Sequence, residues 1–408
     1  FSLEPPRFLI LDTEKYRFGK TVSRYSSSVE MMSAQSVKDQ DAKVLVKVIQ
    51  RSETNQYSSS HSTRNEDLFA RERMVLSILN QIPKANVGIL PYLGWDDDYA
   101  TFYIGTERLF GEKIFDRVLS CRVRQSPEKH LLLYIRAMFE SVCVVHSKHI
   151  AMRNLSLQNF QFGTSDKNNI LYLTHYEGAR VIENNDEPNY GNLSGKVLFM
   201  SPELCGIAQR RLYETKRWEK EISGQMYIAS DVWALGIIAY YLATGHHPFY
   251  TDAPVPNKLR RTLNNIMSSN YSSFDFDHIA PFQLQSTNKL FADWLHRVLC
   301  PDYKQRATTQ QALEHEFLSL PTVEQLDGSL STLTYHSIAF KELGLHKAFE
   351  DKADYITLLP YGEKEEKEDD ASDHDADVKK DEQGGVHREA EGEEAVALQQ
   401  YFTLNIDD

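Results

Sequence analysis

The hydrophobic pattern divides the chain into a strand-rich first part and a helix-rich second part. From Phe8 to about Ile104, β-patterned runs such as AKVLVKVIQ and TFYIGTE surround one helical segment, EDLFARERMVLSILN. From Glu112 to Leu320, the segments HLLLYIRAMFESVCVVHS, SDVWALGIIAYYLATG and KLFADWLHRVLC each carry a broad apolar face. The pattern predicts an α+β fold in which a small β-rich lobe with one main helix precedes a larger, mainly helical lobe.

The acidic charge of the chain is concentrated near its C-terminal end. The net charge is −13, and residues 362–394 alone contain 15 acidic and 5 basic residues. The rest of the chain is therefore close to neutral, which argues against a basic nucleic-acid surface, and we expect no nucleic-acid partner. Residues 321–361 keep aromatic and leucine side chains and are expected to pack on the larger lobe. Residues 362–408 are predicted to form an acidic, largely disordered tail.

Cysteine spacing and apolar run length exclude several other classes of protein. The four cysteines are far apart and form no CxxC pair, so neither a zinc site nor a disulfide framework is predicted. No stretch of eighteen apolar residues occurs, so we expect no membrane span. We expect a cytoplasmic protein, and the alternative is a secreted protein whose signal peptide has been removed. The sequence leaves the oligomeric state open.

Seven motifs follow one another in the order of the eukaryotic protein kinase signature set. They are the strand AKVLVKVI, a helix with Glu72, then MRNLSLQNF, YLTHYEGA, FMSPE, SDVWALG and CPDYKQRATTQQALEHEFL. From Phe8 to Leu320 the chain resembles this superfamily, which implies a bilobal fold with an N-lobe at 8–106 and a C-lobe at 110–320. The insertion after SPEL, the WALG segment and the ending EFLSLPTVEQLDGSLSTL also resemble, over a shorter stretch, the secreted rhoptry kinase and pseudokinase family of apicomplexan parasites.

The resemblance assigns structural roles to four residues of the larger lobe. Arg153 matches the arginine of the catalytic loop, and Asp231 matches the aspartate that binds the backbone of that loop. Glu203 and Arg306 match a buried ion pair of the superfamily. These residues indicate that the framework of the fold is retained.

The positions that carry chemistry in the superfamily are changed. Asn154 stands where a kinase has the aspartate that accepts the substrate proton, and an amide cannot accept it. The Asp-Phe-Gly motif reads His-Tyr-Glu from His175 to Glu177, so the principal metal carboxylate is missing at its usual position. Ser156 replaces the loop lysine, and Lys196 replaces the threonine of the Gly-Thr pair before the substrate platform.

The predicted nucleotide site is also altered. The phosphate loop keeps a single glycine, Gly19, and Leu45 and Gln161 replace residues that line the adenine slot in the superfamily. We therefore expect no cofactor and no bound metal, with at most weak, magnesium-independent ATP binding. Ligation of a metal other than Mg²⁺ by His175 and Asn159 is an alternative. The resemblance implies the following residues for such a vestigial site: Lys47, Glu72, Thr106, Glu107 and Asn159.

These changes together predict a catalytically inactive pseudokinase that acts as a scaffold or allosteric regulator of a protein partner. An active kinase is one candidate for this partner. The first alternative is an atypical protein kinase that keeps low activity through Lys47 and Asn159, with Glu177 as the candidate residue that takes over the metal. The second alternative is a secreted parasite effector that binds a host protein. A third is a tether that acts through residues 321–408.

An extended segment of the larger lobe is a candidate docking surface. Glu203 and Asp231 are 28 positions apart, about twice the usual interval in the superfamily, and the extra residues QRRLYETKRWEKEISGQ are basic and aromatic. The alternative is a surface insertion without a partner.

Overall fold

The computed structural model shows two lobes, and it confirms the predicted α+β architecture with a β-rich N-lobe and a helical C-lobe. It describes residues 8–39, 41–51, 62–82, 88–114, 116, 128–163, 170–183, 188–190, 193–213, 221–245, 247–249, 257–268, 281–282, 284–319 and 355–358.

The N-lobe is an antiparallel sheet of six strands with one helix. The strands are β1 (Phe8–Leu11), β2 (Glu14–Arg24), β3 (Val29–Ser36), β4 (Lys43–Gln50), β5 (Tyr92–Asp97) and β6 (Thr101–Glu107), in the sheet order β1-β2-β3-β4-β6-β5. Helix α1 (Ser62–Leu79) lies between β4 and β5 in the chain. Edge strand β1 reaches β5, where the amide of Ile10 donates to Asp96 Oδ2 at 3.1 Å, so the sheet is strongly curved.

The two faces of this sheet bury different apolar clusters. Alternate residues of β1 and β4, among them Leu9, Val44 and Val46, pack together on one side. On the other side Phe102 stacks on Phe69 of α1 with ring centroids 4.3 Å apart. Side chains alternate between the two faces of each strand. Helix α1 packs on the face whose apolar cluster continues into the C-lobe core.

The C-lobe consists of helices joined by short strand pairs. Its helices are α2 (Glu128–Ser147), α3 (Pro202–Tyr213), α4 (Gly224–Thr244), α5 (Asn257–Met267), α6 (Gln285–Val298), α7 (Thr309–Glu314) and α8 (Glu316–Ser319). Its strands are β7 (Ile150–Ala151), β8 (Phe160–Phe162), β9 (Leu171–Leu173), β10 (Arg180–Val181), β11 (Pro188–Tyr190), β12 (Leu193–Lys196), β13 (Ile222–Ser223) and β14 (Tyr355–Leu358). The antiparallel pairs are β7 with β10, β8 with β9, β11 with β13 and β12 with β14.

Helix α4 forms the centre of the C-lobe. Its N-terminus is capped by Ser223, whose Oγ accepts from the amide of Met226, and it ends at Gly245, whose φ of 76° suits a residue without a Cβ. Among the helices of the described ranges, α4 alone is long and apolar enough to cross a membrane, but 83% of its apolar window is buried inside the lobe. The burial is typical of a core helix.

Asp231 of α4 holds the loop that follows β7. Its carboxylate accepts from the amides of Met152 and Arg153 at 2.7 and 2.8 Å, as the resemblance implied. Arg153 has a φ of 67°, so these bonds fix a backbone conformation that a residue with a side chain rarely adopts. The Arg153 guanidinium contacts the ring of Tyr227 at 4.5 Å.

Arg306 and Glu203 form the predicted ion pair inside the C-lobe. The guanidinium donates to both carboxylate oxygens at 2.8 Å, and the two side chains are 0% and 9% exposed. Arg306 also donates to the carbonyls of Ala229 and Cys300. The pair thereby ties the start of α3 to α4 and to the segment before α7.

Two regions predicted from the sequence are described only in part. Of the residues after 319, only Tyr355–Leu358 are described, and they pair with β12 of the C-lobe, while the acidic tail lies outside the described residues. The predicted docking surface begins on α3, where Arg210 pairs with Glu221, and its residues 214–220 also lie outside the described part of the chain. The docking role of this segment stays a prediction.

The buried ion pair predicts a large loss of stability when one partner is removed. Arg306→Leu leaves Glu203 buried without its cation, and the free energy of unfolding should fall by about 3–5 kcal/mol. Urea unfolding monitored by tryptophan fluorescence measures this difference. Arg297→Leu is the matched control, because Arg297 is 61% exposed in its pair with Asp293 and should change stability by only about 0.5 kcal/mol. Equal losses in both variants would contradict the prediction.

Candidate active site

The cleft between the lobes contains one lysine that is shared by two carboxylates. Lys47, in the middle of β4, donates to Oε1 and Oε2 of Glu72 at 2.6 and 2.8 Å. Its ammonium also lies 2.7 Å from Oε1 of Glu177, which belongs to the C-lobe. The side chains of Lys47 and Glu72 are each only 6% exposed. The predicted pair between strand and helix is therefore present, and a third charge joins it across the lobes.

Glu177 is turned into the cleft, as the atypical-kinase alternative expected. Burial by itself raises the pKa of this carboxyl group, but the charge of Lys47 and the neighbouring His175 outweigh burial and hold the pKa well below its usual range. The group is therefore ionised at neutral pH. Its side chain is 33% exposed, and in the described part of the chain no donor bonds to its second oxygen.

The three charges perturb one another strongly. Burial alone lowers the pKa of Lys47, yet the two carboxylates outweigh it and raise that pKa above its usual range. Burial raises the pKa of Glu72, and the negative charge of Glu177 adds to this effect against the opposing charge of Lys47. With one cation between two carboxylates, the cluster has anionic oxygen facing the cleft.

The catalytic loop carries neutral side chains that bond to one another. Asn159 Oδ1 accepts from the amide and the hydroxyl of Ser156 at 2.9 and 3.2 Å. Its Nδ2 donates to the carbonyls of Thr174 and His175 at 3.2 and 3.3 Å. The Asn159 amide thus ties the loop to the segment that carries Glu177, and its oxygen already has two donors.

Asn154 lies near two glycines, Gly178 and Gly195. A Cβ on Gly178 would come within 3.1 Å of the Met152 carbonyl and 3.3 Å of the Asn154 Cβ, so a larger residue would separate the two segments. Gly195, with a φ of 142°, passes on the other side, and the next amide, that of Lys196, donates to Asn154 Oδ1 at 3.3 Å. Three segments of the chain therefore meet at the position of the missing aspartate.

The turn between β2 and β3 contacts the segment that carries Glu177. Tyr25 meets His175 edge to face with ring centroids 6.3 Å apart. Burial raises the pKa of Tyr25, and the nearby charge of Glu177 raises it further. Tyr25 was not predicted as a site residue, although its position in the run SRYSSS, where glycines would be expected, was a usable signal.

The remaining residues of the predicted nucleotide site lie on the strand that leads to the C-lobe. Thr106 is paired with Leu45 across β6 and β4, and the Thr106 hydroxyl donates to the Leu45 carbonyl at 3.4 Å. Glu107 follows with its side chain exposed to solvent. Gln161 Nε2 donates to the Gly111 carbonyl at 3.0 Å, so its amide is satisfied by the backbone after that strand.

The chemistry of these side chains fits a magnesium nucleotide. An ionised, partly exposed carboxylate at Glu177 is the type of ligand that Mg²⁺ prefers, and the Lys47 ammonium matches an anionic phosphate. Within the described ranges no group of three or more His, Cys, Asp and Glu side chains could hold a metal by itself. Mg²⁺ commonly uses one or two carboxylates together with substrate phosphates, so such a cage is not required.

Solved structures with the same fold are protein kinases. The autoinhibited serine kinase domain of the giant muscle protein titin superposes with a TM-score of 0.59 at 19% identity, covering 81% of this chain and 87% of that one. A twitchin kinase fragment of C. elegans gives a TM-score of 0.59 at 17% identity, covering 82% and 64%. These similarities establish the fold.

Curated relatives are also named as protein kinases. Two calcium/calmodulin-dependent protein kinases of Emericella nidulans, cmkB and cmkA, are 23% and 25% identical over 66% and 74% of this chain. A calcium/calmodulin-dependent protein kinase type 1B of Homo sapiens is 26% identical over 63% of the chain. The chain spans about 60 to 65% of the length of these relatives.

Two predictions from the sequence are wrong in the light of these relatives. The prediction that the chain is not an enzyme is contradicted because its relatives are named as kinases. The expectation of no cofactor fails with it, since kinases use ATP and Mg²⁺. The prediction of inactivity relied on the residue types at Asn154 and His175, each compared with the kinase residue at the same position. That comparison gave too little weight to Glu177, whose carboxylate reaches Lys47 from two positions further on.

The lowered pKa of Glu177 predicts a pH-dependent contribution to stability. A carboxyl group whose pKa is lower in the folded state stabilises the fold above its unfolded pKa of about 4.3, and this stabilisation is lost as the pH falls through the folded value. Glu177→Gln should therefore be less stable than the native protein at about pH 7, and the difference between them should shrink as the pH falls below about 4.

Urea unfolding at a series of pH values measures this difference. Glu316→Gln, at an exposed position of α8, is the matched control and should follow the native curve throughout. If the difference in unfolding free energy between the native protein and Glu177→Gln stays constant from neutral to acidic pH, the assignment of an ionised Glu177 is contradicted.

The family itself follows from a match that covers most of both lobes. The family model described as the protein kinase domain matches residues 28–318, which is more than half of the chain. This range contains the Lys47–Glu72 pair, the loop held by Asp231 and the Arg306–Glu203 pair. The chain belongs to the protein kinase family.

Proposed function

We propose that the chain is an atypical protein kinase that transfers phosphate from ATP, with Glu177 as the metal-binding carboxylate. The observation that carries the proposal is the ionised Glu177 carboxylate, 2.7 Å from Lys47 and partly open to the cleft. Kinase-named relatives support the reaction class.

The side chains of this chain divide the task of binding and orientation. Lys47 would bind phosphate oxygens, and Glu72 keeps its ammonium in place from α1. Glu177 would hold Mg²⁺. Bound magnesium ATP supplies the transferable phosphoryl group and neutralises charge on the phosphates. The protein residues therefore mainly position the reactants, which is what phosphoryl transfer requires most.

Asn154 would orient the substrate hydroxyl without removing its proton. Asn154 Oδ1 accepts a hydrogen bond from the backbone amide of Lys196. The side-chain amide of Asn154 can accept hydrogen bonds but is not a base near neutral pH. Because general-base catalysis contributes typically about 10²–10⁴-fold, we expect low activity.

A strand from the C-terminal region would regulate access to this site. Residues Tyr355–Leu358 pair antiparallel with Leu193–Lys196, with Ile356 opposite Gly195. These are the residues that precede the substrate platform in the resemblance to kinases. The strand occupies backbone groups that an extended peptide substrate would use. We therefore propose that it is autoinhibitory, and the titin kinase domain, which has the same fold, is likewise described as autoinhibited.

A partner protein is the proposed means of removing this strand. The relatives are named as calcium/calmodulin-dependent, so calmodulin is the partner that we propose. A cytoplasmic location and the narrower resemblance to the rhoptry family stay predictions.

Magnesium-dependent ATP binding tests the role of Glu177. ATP binds only the folded protein, so at a concentration of about 100 times Kd it should stabilise the native chain by about 2.7 kcal/mol. We expect a larger increase in Tm with Mg²⁺ than without it, and we expect Glu177→Gln to lose the part that depends on Mg²⁺. Glu316→Gln should behave like the native protein. Absence of any ATP-dependent shift in the native protein would overturn the proposed function.

Disrupting the β12–β14 pairing tests autoinhibition. Thr357→Pro removes an amide from the short strand β14, opposite Ser194, and should release it. Phosphate transfer from labelled ATP to a generic protein substrate such as casein should rise about tenfold, and added calcium and calmodulin should activate this variant less than the native chain. Thr357→Val keeps the amide and is the control. Unchanged activity of Thr357→Pro would argue against a covering role for β14.

A further inference from the structure

We propose that the acidic run of residues 363–377 docks on a basic surface of helices α3 and α5 in the same chain. The accessible cations of this α3–α5 surface are Arg210, Arg260 and Arg261. Docking of this kind does not depend on phosphate transfer, so it goes beyond the proposed function. Three observations support it: the charge of the surface, the point where the chain leaves strand β14, and the charge of the residues that follow.

Helices α3 and α5 are in contact, and α5 presents two arginines to solvent. Gln209 Nε2 of α3 donates to Asn264 Oδ1 of α5 at 2.7 Å. The Arg260 guanidinium lies 5.0 Å from the ring centroid of Tyr213, the last residue of α3. Arg260 and Arg261 are both exposed, and among the residues that the structure describes no carboxylate lies at ion-pair distance from either of them.

The two helices do not balance this charge themselves. Helix α5 contains no acidic residue, and the acidic residue of α3, Glu203, is buried in the ion pair of the C-lobe. One further carboxylate, Glu221, is shared by Arg210 and Arg211 at 2.8 and 3.4 Å. The inserted residues 214–220 add three basic and two acidic side chains. The surface therefore carries an excess of positive charge, and an acidic chain segment is its electrostatic complement.

Strand β14 leads the chain to this side of the C-lobe. It runs antiparallel to β12, so its last residue, Leu358, lies opposite Leu193. Three residues before Leu193, Tyr190 of β11 lies opposite Ile222 of β13. Ile222 directly follows Glu221, the carboxylate that the two arginines of α3 share. The chain therefore leaves β14 beside the strand pair that leads to the α3–α5 surface.

The chain after β14 is long enough to reach the surface. Along the paired strands, the path from Leu358 to Glu221 is at most about 25 Å, from the Cα spacings along a chain and across a strand pair. The twelve residues 359–370 can extend over about 40 Å. The first acidic residues can therefore cross from Glu221 to α5 while β14 stays paired with β12.

The residues that follow β14 have the charge that this surface requires. Nine of the fifteen residues from 363 to 377 are acidic and two are basic. A single exposed ion pair contributes little, but a short linker keeps many carboxylates at a high effective concentration near the arginines. Docking would also restrain the chain directly after β14 and so favour its pairing with β12.

Arginine labelling of the full chain tests the docking. Phenylglyoxal reacts with accessible guanidinium groups, and mass spectrometry of the resulting peptides gives a rate for each arginine. We expect Arg260 and Arg261 to react about threefold faster than in the native chain at low salt when the acidic side chains nearest β14 are neutralised. This variant combines Glu363→Gln, Glu365→Gln, Glu366→Gln, Glu368→Gln, Asp369→Asn and Asp370→Asn.

Two controls separate docking from general effects of charge or folding. Arg24, which is 68% exposed on β2, should react equally in both proteins, and the buried Arg306 should stay protected in both if they are folded. Glu314→Gln combined with Glu316→Gln removes negative charge from exposed positions of α7 and α8. This control variant should label like the native chain.

A salt series on the native protein gives a second readout that needs no variant. About 0.5 M salt should raise the rates of Arg260 and Arg261 to those of the neutralised variant, because salt screens exposed charges. Equal rates in native and neutralised proteins at low salt would overturn the inference. Protection that is lost on dilution would also overturn it, because the covering segment would then belong to a second copy of the chain. None of these rates depends on ATP, so the proposed function can fail while the docking stands.

Discussion

The contact on which the two lobes depend is the shared ammonium of Lys47. Carboxylates from α1 and from the C-lobe segment after β9 bind the same cation within 2.8 Å, although Glu72 and Glu177 are more than a hundred residues apart. Desolvating three charges is costly, so the arrangement is stable only while all three are in contact. The orientation of the N-lobe sheet, the inward position of α1 and the conformation of the segment with Glu177 are therefore coupled to one another.

Around this cluster, charged and polar side chains bond to one another within the catalytic loop and the segment that follows β9. A carboxylate stands two residues after His175, and an ammonium lies on β12 opposite the neutral catalytic loop. Asn159, a ligand candidate in the sequence, binds Ser156 and two backbone carbonyls instead. These bonds tie the loop to the segment that carries Glu177, and under the proposed kinase function the placement of reactants would be the main contribution of the protein.

Local pattern was sufficient to predict most of the fold, and distant contacts explain what was missed. The β-patterned run of β4 and the broad apolar face of α4 predicted a strand and a C-lobe helix, and motif matches predicted the Arg306–Glu203 pair. The contacts of Tyr25 with His175 depend on how two lobes close, which no single segment encodes. The inference of inactivity was wrong for a related reason. The sequence shows that no Asp stands at position 175, but it does not show that the Glu177 carboxylate, two positions further on, reaches Lys47.

The pairing of β12 with β14 has a consequence for how substrates compete. If β14 is autoinhibitory as proposed, it competes from within the same chain at an effective concentration on the order of millimolar, whatever the protein concentration. A free peptide substrate would then have to displace β14 either by a concentration above this value or by side-chain contacts beyond the four paired residues. Selectivity would then arise partly from the competitor that the chain carries, since weakly binding peptides are excluded even when the cleft is complete.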